Sequence, residues 1–279
     1  MQETKYLSHA WAQLTKDKDW ITTILMLSVC MLLPVVGWIW IIGYETEWAL
    51  LIAQGIEGPP ERKNIDIVRC FKSGCHTVAA TLSWCVILGS FLYLVLRTVS
   101  DASFSPNIDA LGIINSLFHF WAAFIILSAR SSTFMPVLAV VSLYVNFMVI
   151  ASLRAAICRN PAAGYQAGHI LGMIGRDLNG YLNISGMTMI AMFIGNIVFI
   201  ALSQVAAAMI LLSLGISNMV FKIFLFLMFC LPVAIVYTLI SLMDYAMVGL
   251  WMRQFNEAGS AHPQDRKSTR LNSSHARLS

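Results

Sequence analysis

Residues 21 to 42 read ITTILMLSVCMLLPVVGWIWII and carry no charge, and apolar runs of similar length recur until about position 250. Such runs leave a chain few ways to fold. A hydrocarbon core about 30 Å thick needs roughly 20 apolar residues of helix to cross it. Inside that core every backbone N–H and C=O must find a partner, and a helix supplies them all within one segment. With 58% apolar and 11% charged residues, little is left to build a solvated surface. The expected fold is all-α: a polytopic membrane domain over residues 21–255 with about six transmembrane helices and amphipathic interfacial helices.

The spans are expected at about 21–42, 76–96, 110–128, 136–154, 184–214 and 219–243. The first 20 residues carry charges of both signs and no A-x-A cleavage site, and the first apolar run exceeds a signal peptide's apolar region, so it is expected to remain as a helix. Before it, Tyr6, Leu7, Ala10, Trp11 and Leu14 recur at helical spacing. This pattern makes residues 1–20 an amphipathic segment lying on the membrane surface. Trp20, Trp38 and Trp40 bracket the first span like two interfacial belts. Pro34 in the first span and Pro232 in the last each remove a backbone hydrogen bond, which predicts a kink in both helices.

After Gly43, Trp48, Leu50, Leu51 and Ile52 suggest an amphipathic connection that breaks at Gly58, Pro59 and Pro60. The charged stretch Glu61 to Lys72 is expected at the interface. Pro136 suits the first turn of the fourth span, and Asn160 with Pro161 reads as an N-cap and first-turn pair opening a surface or re-entrant helix. Both halves of the chain follow one rhythm, a span, a long connection and two close spans, which would make a repeat inverted in topology. Their residue-level similarity is poor. With the N-terminus inside, Lys and Arg number eight on the inner side against six outside, a slight lean toward that orientation.

The tail is a separate matter. Residues 256–264 read as a linker, and Asp265 to His275 resembles the translation of a common short-read sequencing adapter, so 265–279 is expected to be an artefact that replaces the native C-terminus. Without Asp265, Arg266, Lys267, Arg270 and Arg277, the formal net charge falls from +4 to about +1. Basicity then gives no argument for nucleic acid or for a polybasic lipid-binding segment. The six cysteines lie mostly in or beside apolar runs and form no disulfide framework. Cys70, Cys75 and His76 are close in sequence, but one such cluster without a second cysteine pair does not make a metal site.

Three groups of residues stand out for function. Gly164, Gly168 and Gly172, spaced by four, are expected on one helix face as a packing motif, with Arg176 a turn further as an interfacial anchor. Asn115, His119, Asn146, Asn196, Gln204 and Asp244 lie in or beside apolar spans and should point inward or toward water. Asp244 is the sharpest, ionisable and near the end of the last span, with Arg253 about two and a half turns on and a snorkelling or ion-paired role expected. Neither H-E-x-x-H nor G-x-S-x-G occurs, which gives no warrant for an enzyme or a cofactor.

From Asp17 to Gly55 the chain resembles the start of a prokaryotic membrane protein family, domain of unknown function 4013, at Asp19, Trp20, Pro34, Gly37, Gly43, Tyr44 and Gly55. The segments Asn179 to Leu182 and Tyr245 to Gly249 look similar too, and the layout agrees over about residues 5 to 255. The family places a leucine-proline pair and a tryptophan after the amphipathic segment; here Pro59 and Pro60 lead into ERKNID. The resemblance implies a multi-pass protein of the cytoplasmic (inner) membrane of a prokaryote, and no catalytic residue. The expected function is non-enzymatic, through packing with lipid, with a second copy or with a membrane protein partner; the alternative is a small-solute or lipid transporter or channel.

Overall fold

The computed structural model describes residues 6–33, 35–56, 67–99, 131–213 and 219–255, and their regular structure is all helical. In chain order the helices are α1 (Tyr6–Leu14), α2 (Trp20–Met31), α3 (Val36–Ala53), α4 (Ile67–Val99), α5 (Ser131–Ile157), α6 (Ala167–Arg176), α7 (Leu178–Ser213) and α8 (Met219–Met252). Single 3-10 turns at Pro161–Tyr165 and Arg253–Phe255 complete the described elements. Three segments have the length and apolar character to cross a membrane: Met135–Ile157, Leu178–Leu202 and Cys230–Phe255. Of the six expected spans, those at 136–154, 184–214 and 219–243 fall on these three segments. The expected span 110–128 lies outside the described residues, as do the 256–264 linker and the 265–279 tail.

The first charge-free run is not one kinked span. It divides into α2 and α3: α2 ends at Met31, Val35 takes a left-handed φ of 65°, and α3 starts at Val36. A positive φ is costly for a β-branched residue and marks a sharp change of direction. Pro34 lies outside the described residues. The chain returns on itself so closely that a Cβ at Gly37 would run into the Cys30 carbonyl, and the Trp38 indole N–H donates to the Met31 carbonyl at 2.8 Å.

The stretch after Gly43 is likewise not a surface connection. Residues Gly43 to Leu50, together with Ile52 and Ala53, are buried, and Trp48 is fully enclosed. On one side α3 crosses α4 where Gly43 meets the Cys70 carbonyl and Gly74 meets that of Ile39. A Cβ at either glycine would overlap backbone, so this crossing requires glycine. Close backbone approach at small residues is how helices associate where lipid removes the hydrophobic drive. Thr46 and Thr77 add a hydroxyl pair at 3.2 Å.

On its other side α3 packs against the last helix. Glu45 meets Ser241, Gly249 approaches Ala49 and Gly55 lies by Arg253, so α3 and α8 run in the same direction. The pairs Asp177 with Trp251, Thr188 with Asp244 and Gly195 with Ile240 set α7 antiparallel to α8. Against α4, α5 is fixed by the Tyr144 hydroxyl donating to the Trp84 carbonyl at 2.9 Å. The Trp84 indole in turn donates to the Gly164 carbonyl at 3.1 Å.

Local sequence explains the remaining elements. The Asn160 side chain accepts from the Ala162 N–H at 3.0 Å with Pro161 in the first turn, as an N-cap and first-turn pair should, but the turn is 3-10 and stops at Tyr165. This break takes Gly164 out of register with α6. Gly164 is buried, and a Cβ there would lie 2.7 Å from Ala80 Cβ and 2.9 Å from the Ala151 carbonyl oxygen. Gly168 and Gly172, in α6, face open space. The expected three-glycine face therefore does not exist; only Gly164 packs. Helix α5 starts at Ser131, so Pro136 lies beyond the expected first turn, while Pro232 lies inside the single helix α8.

In α1, Tyr6, Ala10 and Leu14 are buried against the bundle rather than against a surface, while Leu7 and Trp11 remain exposed. Trp11 stacks edge-on with Trp20 at 5.5 Å.

Candidate buried polar site

The bundle carries a group of polar side chains where four helices meet. Ser241, Asp244 and Tyr245 are spaced i, i+3, i+4 on α8, which puts them on one face. Glu45 and Thr46 face them from α3, Asn146 and Ser152 from α5, and Thr188 from α7. Relative exposures are 1% for Glu45, 0% for Asn146, 2% for Thr188 and 5% for Asp244, so neither carboxyl reaches solvent.

A chain of hydrogen bonds crosses the site. Asn146 Nδ2 donates to Thr188 Oγ1 at 3.0 Å and to the Ser142 carbonyl at 2.9 Å. Thr188 Oγ1 lies 2.5 Å from Asp244 Oδ1 and 3.1 Å from the Ile184 carbonyl oxygen. Ser241 Oγ donates to Glu45 Oε2 at 2.8 Å, and Ser152 Oγ lies 3.4 Å from the Tyr245 hydroxyl. Two buried acceptors, Glu45 Oε1 and Asn146 Oδ1, find no hydrogen-bond partner among the described residues. Such atoms are costly in a low-dielectric interior.

Glu45 lies outside the three span-like segments. Burial, with repulsion from Asp244 adding to it and the Ser241 bond opposing, pushes its carboxyl up to about 8. One helical face away, Glu47 has a different environment: Arg69 Nε stands 2.9 Å from its Oε2, and the Ser73 hydroxyl donates to its Oε1. The two glutamates of one short segment are thus one unpaired by a cation and one ion-paired.

A second polar node closes the end of the bundle. Asp177, between α6 and α7, accepts from the Trp251 indole at 3.0 Å, Gln254 Nε2 at 2.8 Å and the Gly180 N–H at 3.0 Å. Partial burial pushes its carboxyl up, but the three hydrogen bonds outweigh that and hold it below the usual range.

Of the residues singled out in the sequence, Asp244 and Asn146 join the site. Asn196 is buried on α7 beside Gly195 with its Oδ1 unpartnered, away from the Thr188 level by two turns. Gln204 is exposed, and His119 and Asn115 lie outside the described residues. Arg253 lies beside Gly55 and Asp244 pairs with Thr188, so the two are not an ion pair. Arg176 is exposed at the end of α6. Cys70 is buried while Cys75 is exposed, and no group of three or more His, Cys, Asp and Glu gathers for a metal among the described residues. The crevice between α7 and α8, lined by residues such as Val198, Phe199, Leu202 and Val233, is apolar.

Sequence reasoning missed Glu45, Thr188, Ser241 and Tyr245. One signal was present: Glu45 stands two residues from Glu47 between Tyr44 and Trp48, inside a run otherwise apolar from Val35 to Ala53 apart from Gly37, Gly43 and Thr46. Comparison with family models, with curated proteins and with solved structures found no match.

Proposed function

We propose that this chain is a multi-pass integral membrane protein of a prokaryotic inner membrane that works without catalysis, through packing with lipid, a second copy or a membrane protein partner. The observation that carries this reading is the outward face of α7. Leu178, Leu182, Ile190, Phe193, Ile194, Ile197 and Val205 are exposed, while Tyr181, Ile184, Ser185, Thr188, Met192 and Asn196 are buried. An exposed row of large apolar side chains on a helix 36 residues long needs an apolar surrounding, and lipid or another helix supplies it.

Kinship with the domain of unknown function 4013 family belongs to the same proposal. It is supported by the structural work of the matching residues: Gly37 and Gly43 allow close helix contacts, and Tyr44 is enclosed in the core. Carbonate extraction of membranes from expressing cells, followed by crosslinking, tests the reading. The protein should stay in the membrane pellet and crosslink to itself or to one membrane partner; release by carbonate contradicts it.

A second reading, transport of a small solute, draws on Glu45 and Asp244 buried at a four-helix junction, because intramembrane carboxyls mark ion and proton paths. Solute flux in proteoliposomes that is lost on substituting either residue would favour it over packing alone.

A further inference from the structure

We propose that the four-helix junction is a proton-binding site, in which Asp244 and Glu45 are held as neutral carboxylic acids at neutral pH and release their protons at alkaline pH. This goes beyond the packing reading and does not depend on transport.

Three observations support it. First, Asp244 Oδ1 lies 2.5 Å from Thr188 Oγ1, an oxygen that also accepts from Asn146 Nδ2 and lies within reach of the Ile184 carbonyl. This geometry accommodates a proton on Asp244: Asp244 and Asn146 then both donate to Thr188 Oγ1, which donates its own hydrogen to the Ile184 carbonyl. Second, Glu45 Oε1 is buried with no donor, a position that suits an uncharged acid far better than an anionic oxygen. Third, no cation among the described residues offsets either carboxyl.

The facing groups from every neighbouring helix bear this out. On α3 the other ionisable groups close by are the Tyr44 phenol, neutral at these pH values, and Glu47, already paired with Arg69 of α4. From α5 come Asn146 and Ser152, with Arg154 directed to Gln166 and Met173. From α7 come Thr188 and the Tyr181 hydroxyl, which donates to the Leu143 carbonyl. On α8 itself are Ser241 and Tyr245, and the buried stripes of α1 and α2 contribute no charge. Two carboxylates facing only neutral partners and each other repel and are poorly solvated, and protonation removes both penalties.

A proton also fits where a larger ligand does not, since it needs no coordination shell and the side chains around it are buried. The balance is simple: each carboxylate takes one proton from bulk water, on one of its two oxygens, with no electron transfer.

Infrared spectroscopy of the full chain in liposomes tests this, with carbon-13 labelling of aspartate or glutamate carboxyls to assign bands without substitution. At neutral pH the wild type should show two carbonyl bands of protonated, hydrogen-bonded acids. One should move on aspartate labelling and be lost in Asp244→Asn; the other should move on glutamate labelling and be lost in Glu45→Gln. Both should disappear reversibly as the pH is raised. Carboxylate-only spectra at neutral pH overturn the proposal, as do protonated bands that persist unchanged in both variants. A sodium-dependent rise in melting temperature that both variants abolish would assign the site to an alkali cation and overturn it too.

Discussion

Glu45 accepts a 2.8 Å hydrogen bond from Ser241, a residue 196 positions away in sequence. That contact ties α3, which carries the end of the first apolar run, to the last described helix of the bundle. It also sets a carboxyl 1% exposed beside a second one on the same face, Asp244. The polar interior of the molecule is thus made by the two ends of the chain, with α5 and α7 completing it.

Thr188 links Asn146 of α5 to Asp244 of α8. Thr188→Val keeps the shape and removes the shared oxygen, leaving the Asp244 carboxyl without that partner and the Asn146 amide with the Ser142 carbonyl alone. The expected loss is about 1–2 kcal/mol, the upper range for interhelical hydrogen bonds in membrane proteins. Thermal unfolding in detergent should show a clearly lowered melting temperature, with Thr188→Ser close to wild type.

The helix crossing at Gly43 and Gly74 admits no Cβ on either side. Gly43→Leu and Gly74→Leu should each separate α3 from α4 and abolish a monodisperse peak in size-exclusion chromatography. At Gly168 and Gly172 there is open space, so alanine should be neutral or stabilising by up to about 1 kcal/mol through helix propensity. Equal damage at all four positions would contradict the packing described here.

Asp177 has a lowered pKa, so its hydrogen bonds contribute stability that is complete above the ordinary aspartate value near 3.8 and lost as pH falls through the lower folded value. Unfolding midpoints of wild type and Asp177→Asn should differ at neutral pH and converge as the pH falls below the lowered folded value. Because the group is partly exposed, high salt should narrow the difference.

For Glu45 the sign is reversed. Its raised pKa means a contribution complete below the ordinary value of 4.5 and lost as pH rises through about 8. Melting temperature should fall across that interval in the wild type, and Glu45→Gln, which stays neutral, should flatten the fall. A parallel decline in both would place the titrating group elsewhere.

Part of this was legible in the sequence. The apolar runs at 136–154, 184–214 and 219–243 correspond to α5, α7 and α8, because a long apolar run has one stable form. Asp244 and Asn146 were visible as polar residues in those runs, whose inward placement the cost of burial dictates. Elsewhere local patterns misled. Trp48, Leu50, Leu51 and Ile52 make the stretch after Gly43 read as an amphipathic connection, and only partners remote in sequence, Ser241 and Arg69, allow Glu45 and Glu47 inside. The spacing of Gly164, Gly168 and Gly172 implies one face only if one helix runs through all three, and the Asn160–Pro161 cap starts a turn that ends too early. No sequence period reveals that the run at 21–42 reverses after Met31.

The central claim is that residues 44–53 form the interior of the bundle. Thr46 and Thr77, with their hydroxyls 3.2 Å apart, provide its most direct test. In a background lacking the six native cysteines, Thr46→Cys with Thr77→Cys should oxidise to an intramolecular disulfide in intact membranes, and Cys at 46 alone should resist water-soluble maleimide. Rapid labelling at 46 with no disulfide would return the segment to the surface and contradict the account.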